Sequence, residues 1–88
     1  MTELTHEDIL VVLIEEAAEV IHAATKCLRF GYDHYEPGYG NNRTVLSKEV
    51  GELRALTDEL ILDQQTMDNA YRIKIDRVKK LKERFAQK

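Results

Sequence analysis

The sequence predicts an all-α domain of three helices. Apolar residues recur at steps of three and four over three stretches, about residues 5–28, 44–62 and 67–85. Between the first two stretches, residues 30–43 have no period and hold three of the four glycines, the only proline and three of the four tyrosines. No internal repeat or low-complexity tract is present. The expected architecture is a three-helix chain, residues 1–88 as a single domain, that reaches a four-helix-type bundle by oligomerisation.

The elements follow in order. Thr5 is placed to cap the first helix, with Asp8 three residues on in a capping-box arrangement. Ile9, Leu13, Ala17, Val20, Ala24 and Cys27 or Leu28 form one stripe, which Val12, Ile14 and Ile21 widen. Residues 30–43 are expected as a loop, long for a helix–helix connection and too aromatic for a plain spacer. The second helix places Leu46, Val50, Leu53, Leu56 or Thr57, and Leu60 on its apolar face. Gly51 in its interior costs about 1 kcal/mol relative to alanine, which suits either a close backbone approach or simple tolerance. A turn at Asp63–Thr66 leads to the third helix, whose seam is Met67, Tyr71, Lys74, Val78, Leu81 and Phe85, flanked by Ala70, Ile73 and Ile75.

Composition narrows the class. A third of the residues are charged, and the longest apolar run, Ile9 to Ile14, is far too short to span a bilayer. That run follows no basic segment, so no signal peptide is expected. The single cysteine, Cys27, excludes an internal disulfide and fits the reducing cytoplasm. A net charge of -3 gives no indication of nucleic-acid binding, and no membrane partner is expected. The charge is divided, however. Residues 1–31 carry six acids against two bases, whereas residues 72–88 carry eight bases against Asp76 and Glu83. A domain of this size buries only roughly 60–65% of its unfolded surface, and the first helix is apolar on more than one face. A homo-oligomer, dimer or tetramer, is the expected source of further core.

The carboxylates carry the functional signal. Glu15, Glu16 and Glu19 interrupt an apolar helix, and at about 100° per residue all three are expected to project from one side. None has a basic residue one turn on, and Glu15 meets Glu19 at i, i+4, where like charges repel. Glu49 and Glu52 repeat the E-x-x-E spacing on the second helix. Two such pairs on packed helices offer four converging carboxylates, an oxygen-rich set that favours Mg²⁺, or Mn²⁺, over iron or zinc. Only His22, three residues after Glu19, has the spacing of a di-iron ligand, and it reads more simply as a partly buried histidine. The alternative for the glutamates is a solvated helix face.

Three segments, Glu15-Glu16-Ala17-Ala18-Glu19, Lys26-Cys27-Leu28-Arg29-Phe30-Gly31 and Glu49-Val50-Gly51-Glu52, resemble the MazG-like all-α nucleoside triphosphate pyrophosphohydrolases. The likeness covers residues 9–62, with a spacer of twenty-nine residues and Glu52 where the family carries aspartate. It implies cleavage of a nucleoside triphosphate between the α and β phosphates, giving the monophosphate and pyrophosphate. Glu16, Glu19, Glu49 and Glu52 would hold Mg²⁺, and Glu15 would be a further ligand or the base that orients water. A phosphoribosyl-ATP pyrophosphohydrolase, which resembles this architecture, is the rival within the same superfamily. A non-catalytic helical module that keeps the fold is the alternative of another class.

The remaining candidates surround that set. Lys26 lies two turns after Glu19, with Arg29 at the mouth of the loop, either to clamp phosphate oxygens or as ordinary helix-end bases. The resemblance also implies basic residues of the last helix near the phosphates, for which Lys74 and Arg77 are the best-placed candidates; the lysines beyond them read as a solvated end. Tyr32 and Tyr35, with Tyr39, offer faces for a base to stack on, and Asn41 or Asn42 an amide to read its edge; packing of the loop against the bundle is the alternative. Cys27 reads as a buried hydrophobe and Tyr71 as core.

Overall fold

A computed structural model describes residues 3–87. The element order is α1 (His6–Phe30), β1 (Tyr35–Glu36), β2 (Gly40–Asn41), α2 (Asn42–Glu59) and α3 (Gln64–Ala86). The all-α class holds, with one small addition. Residues 30–43 contain a two-residue antiparallel pairing, Tyr35 opposite Asn41 and Glu36 opposite Gly40. Its cause is local: Pro37 and Gly38 fill the centre of a turn closed by Tyr39 N–H to Glu36 O at 3.0 Å. Proline presets φ at the first central position, and Gly38 adopts φ 89° at the second, a conformation that favours glycine.

Each helix begins at a side-chain cap. Thr5 Oγ1 accepts from Asp8 N–H at 3.1 Å, and Asp8 Oδ2 accepts from Thr5 N–H at 2.9 Å, completing the capping box. α1 then runs to Gly31, whose φ of 109° ends it. α2 starts at Asn42, two residues earlier than the apolar pattern suggested, because Asn41 Oδ1 accepts from Arg43 N–H at 2.9 Å and caps it. Asp63 caps α3 through Thr66 N–H at 3.1 Å.

α1 and α2 pack as an antiparallel hairpin. The first turns of α1 meet the last turn of α2, where Ile9 and Val12 share a dimple with Leu56 and Glu59. The facing positions are half-buried: Ile9, Leu13, Val20 and Cys27 on α1, and Leu46, Leu53 and Leu56 on α2 with Leu60 just past its end. Among the described residues only Ala23 and Asn42 are fully buried. Asn42 Nδ2 donates to Gly31 O at 3.0 Å and to Lys26 O at 3.5 Å, so it satisfies the C-terminal carbonyls of α1. Cys27 Sγ–H reaches Asn42 O at 3.6 Å, which makes the thiol half-buried rather than fully packed.

The third helix stands apart from the hairpin within the chain. α3 packs along neither α1 nor α2 and has no buried residue, so Tyr71 is exposed and not core. The Cα extents of 57 × 40 × 14 Å describe a flat molecule about one helix layer deep. Its radius of gyration is 16.6 Å, against about 12 Å for a compact chain of this length. Gly51 faces open space, so no part of the same chain makes a close approach there.

Candidate metal centre

Spacing and hairpin geometry bring four glutamates together. Residues three apart lie about 60° apart around a helix, so Glu16 and Glu19 leave α1 on one edge and Glu49 and Glu52 leave α2 on another. Antiparallel packing sets the two edges against each other. One carboxylate oxygen from each of the four lies within 4.8 Å of the others. Glu16, Glu49 and Glu52 are half-buried and Glu19 is exposed. These are the four glutamates that the sequence reading assigned to metal; Glu15 is exposed and lies outside the group.

Two of the oxygens are sealed from solvent. Glu16 Oε2 and Glu49 Oε2 have no hydrogen-bond donor among the described residues. Such groups are costly unless a proton or a cation satisfies them. Loss of solvent raises the Glu16 carboxyl from the ordinary 4.5 to about 7, helped by a proton shared with Glu52 and by the charges of Glu19, Glu52 and Glu49. Glu49 is also raised, first through a proton shared with Glu19 and then through loss of solvent. Lys48 Nζ lies 3.8 Å from Glu52 Oε1 along α2, but Lys48 is exposed and water screens the pair. The donor set is all oxygen and carries up to four negative charges, which fits a hard divalent cation.

A cavity of about 340 Å³ continues the groove beyond the glutamates and shares Glu19 and Glu49 with them. Ala18, His22, Ala23, Lys26, Tyr39, Asn42 and Val45 complete its wall. Lys26 is held there by Glu36 Oε2 at 3.5 Å and by the face of Tyr39, 4.7 Å from the ring centroid. The Pro37–Gly38 turn places Glu36 and Tyr39 for this contact. At the opposite end of the hairpin lies the smaller apolar dimple, about 250 Å³, beside Val12 and Leu56.

The other sequence candidates lie elsewhere. Arg29 stacks over its neighbour Phe30 at 5.1 Å, at the exposed end of α1. Tyr32 lies under the guanidinium of Arg43 at 4.7 Å, and Arg43 also pairs with Asp33. The groove that Tyr32 lines, with Val50 and Arg54, is separate from the glutamate cavity. Tyr35 is exposed on β1. Asn42 reaches the cavity wall, although its amide is spent on α1 carbonyls. Lys74 and Arg77 ride on α3, which does not pack on the hairpin. His22 is exposed on the cavity wall, not half-buried. Glu36 and Val45 escape the sequence reading. The proline–glycine turn signals that a residue is being aimed, but not that Glu36 is aimed at a lysine ten positions back.

Compared with known proteins, the chain matches no family model, no curated protein and no solved structure.

Proposed function

We propose that this chain is a Mg²⁺-dependent nucleotide pyrophosphohydrolase that cleaves the α–β phosphate bond of nucleoside triphosphates, with Mn²⁺ as an alternative ion. The observation that supports it is the convergence of Glu16, Glu19, Glu49 and Glu52 within 4.8 Å, two of them with sealed oxygens lacking a donor. These four would hold the cation. Bound there, a divalent cation supplies charge neutralisation for phosphate oxygens and lowers the pKa of water. The residues around it do the positioning. Lys26, beside the glutamates and held by the half-buried Glu36 at 3.5 Å and the Tyr39 face, would exchange Glu36 for a phosphate oxygen. Tyr39 and Val45 supply apolar wall for a base or sugar. Glu15 stands outside this set and takes no ligand role. The free thiol of Cys27 agrees with a cytoplasmic setting, and the exposed apolar surface with a homo-oligomer.

The test is a panel of triphosphates, phosphoribosyl-ATP included, with Mg²⁺ present and products identified. Pyrophosphate is expected, and Glu16→Gln or Glu49→Gln lowers its release by roughly 100-fold or more. Orthophosphate as the product, or activity indifferent to both substitutions, contradicts the reading. No turnover of any substrate leaves the non-catalytic helical module.

A further inference from the structure

The tip of the β1–β2 turn is tied to α1 through one atom. Lys26 Nζ takes both contacts, the Glu36 carboxylate at 3.5 Å and the Tyr39 ring at 4.7 Å from its centroid. The base of the loop is held separately. Asn42 N–H donates to His34 O at 3.0 Å and Arg43 N–H to Tyr32 O at 2.9 Å, so the tip can release Lys26 while the loop stays anchored.

Of the four ion pairs among the described residues, only this one includes a residue of the cavity wall. Lys48–Glu52 and Lys80–Asp76 are one-turn pairs along a helix, and Arg43–Asp33 lies at the start of α2. Lys26–Glu36 spans ten residues and needs the Pro37–Gly38 turn to aim the acid. The cavity itself sets what the lysine can meet. Lys26 follows Glu19 by seven residues, about 10 Å along the helix, and helical side chains lean back toward the N-terminus, here toward the glutamates. Its ammonium is a compact charge with three donors on a flexible stem. A phosphoryl group carries nearly two negative charges at pH 7, against one on Glu36. It therefore competes well for the lysine, and the half-buried carboxylate regains water on leaving.

We propose that Glu36 is an internal competitor for a phosphate subsite on Lys26. In the empty cavity its carboxylate fills the place of a phosphoryl oxygen; it is displaced when a phosphorylated ligand enters and returns as the ligand leaves. Glu36 is thus a specificity-determining residue and not a catalytic one. A singly charged anion gains nothing by replacing it, whereas a doubly charged phosphoryl group does. The inference rests on the reading of Lys26 as a partner of substrate phosphate.

The experiment is calorimetric titration of inorganic pyrophosphate, with Mg²⁺ in cell and syringe, into the full chain, Glu36→Gln, Lys26→Met and the double variant. Glu36→Gln keeps the shape and removes the charge. It is expected to bind pyrophosphate roughly 3- to 10-fold tighter than wild type, a gain that a damaged fold cannot produce. Lys26→Met is expected to bind roughly 10-fold more weakly, and Glu36→Gln to add nothing in that background. Affinity unchanged or reduced in Glu36→Gln overturns the inference. So does an equal gain with and without Lys26, which reduces the effect to general repulsion, and so does absence of binding in both wild type and Glu36→Gln. Binding is read without turnover. A chain that shows the gain but hydrolyses no triphosphate contradicts the enzymatic reading alone, and pyrophosphate release without the gain contradicts this inference alone.

Discussion

Helices α1 and α2 bury their apolar stripes on each other, whereas α3, with a stripe of similar period, has no buried residue in its own chain. The difference is not in the amphipathicity of the sequences. It lies in the connections. Residues 31–41, with a proline–glycine turn, and the buried Asn42 that follows them bring α2 back along α1, whereas residues 60–63, extended at Leu60 and Asp63, carry α3 outward. An apolar stripe therefore shows that a helix must be covered, and the connecting chain decides whether its own molecule can do it. Most helical stability comes from such packing rather than from propensity.

Asn42 is where this contrast breaks most readily. It is fully buried and donates to Lys26 O and Gly31 O, so Asn42→Ala removes the two side-chain bonds that tie the start of α2 to the end of α1, although Gly31 O still accepts from His34 N–H. A loss of about 1–3 kcal/mol is expected, measured by urea denaturation. An unfolding free energy unchanged from wild type would show that the asparagine does not hold the hairpin.

A smaller effect separates the charged groove from the rest. Because the Glu16 carboxyl sits near 7 when folded and near 4.5 when unfolded, the folded chain retains a proton that the unfolded chain has released. The metal-free protein therefore loses stability as pH rises from about 4.5 to about 7, and Glu49 contributes in the same direction. Melting temperature in the presence of a chelator should fall across that window and level off above it. Glu16→Gln should flatten the fall. A wild-type melting temperature that rises through the window would show that the glutamates are solvated separately and do not share protons.

Much of the fold was legible in the sequence. Thr5 with Asp8, the proline–glycine loop and the three periodic stretches placed each helix within a few residues. What periodicity could not convey was whether the third stripe found its partner in the same chain, because seam residues have the same spacing in either case. The candidate site divides similarly. Glu16, Glu19, Glu49 and Glu52 were readable because E-x-x-E spacing fixes an edge of a helix and the hairpin sets the edges together. A role for Glu15 is implied only by the family resemblance, and its side chain lies outside the group of four. Tyr32 and Asn42 were assigned to ligand from a loop whose residues are largely occupied in closing on the hairpin. Lys26 with Glu36 and Tyr39 needed the loop's turn, which sequence marks without giving its direction.

The central claim is that the glutamate groove holds a divalent cation, and calorimetric titration of Mg²⁺ and Mn²⁺ into the chelator-treated chain tests it directly. Saturable binding that is lost in both Glu16→Gln and Glu49→Gln, with Glu15→Gln unchanged, is the predicted result. Absence of binding in wild type, or binding that survives both substitutions, would contradict it.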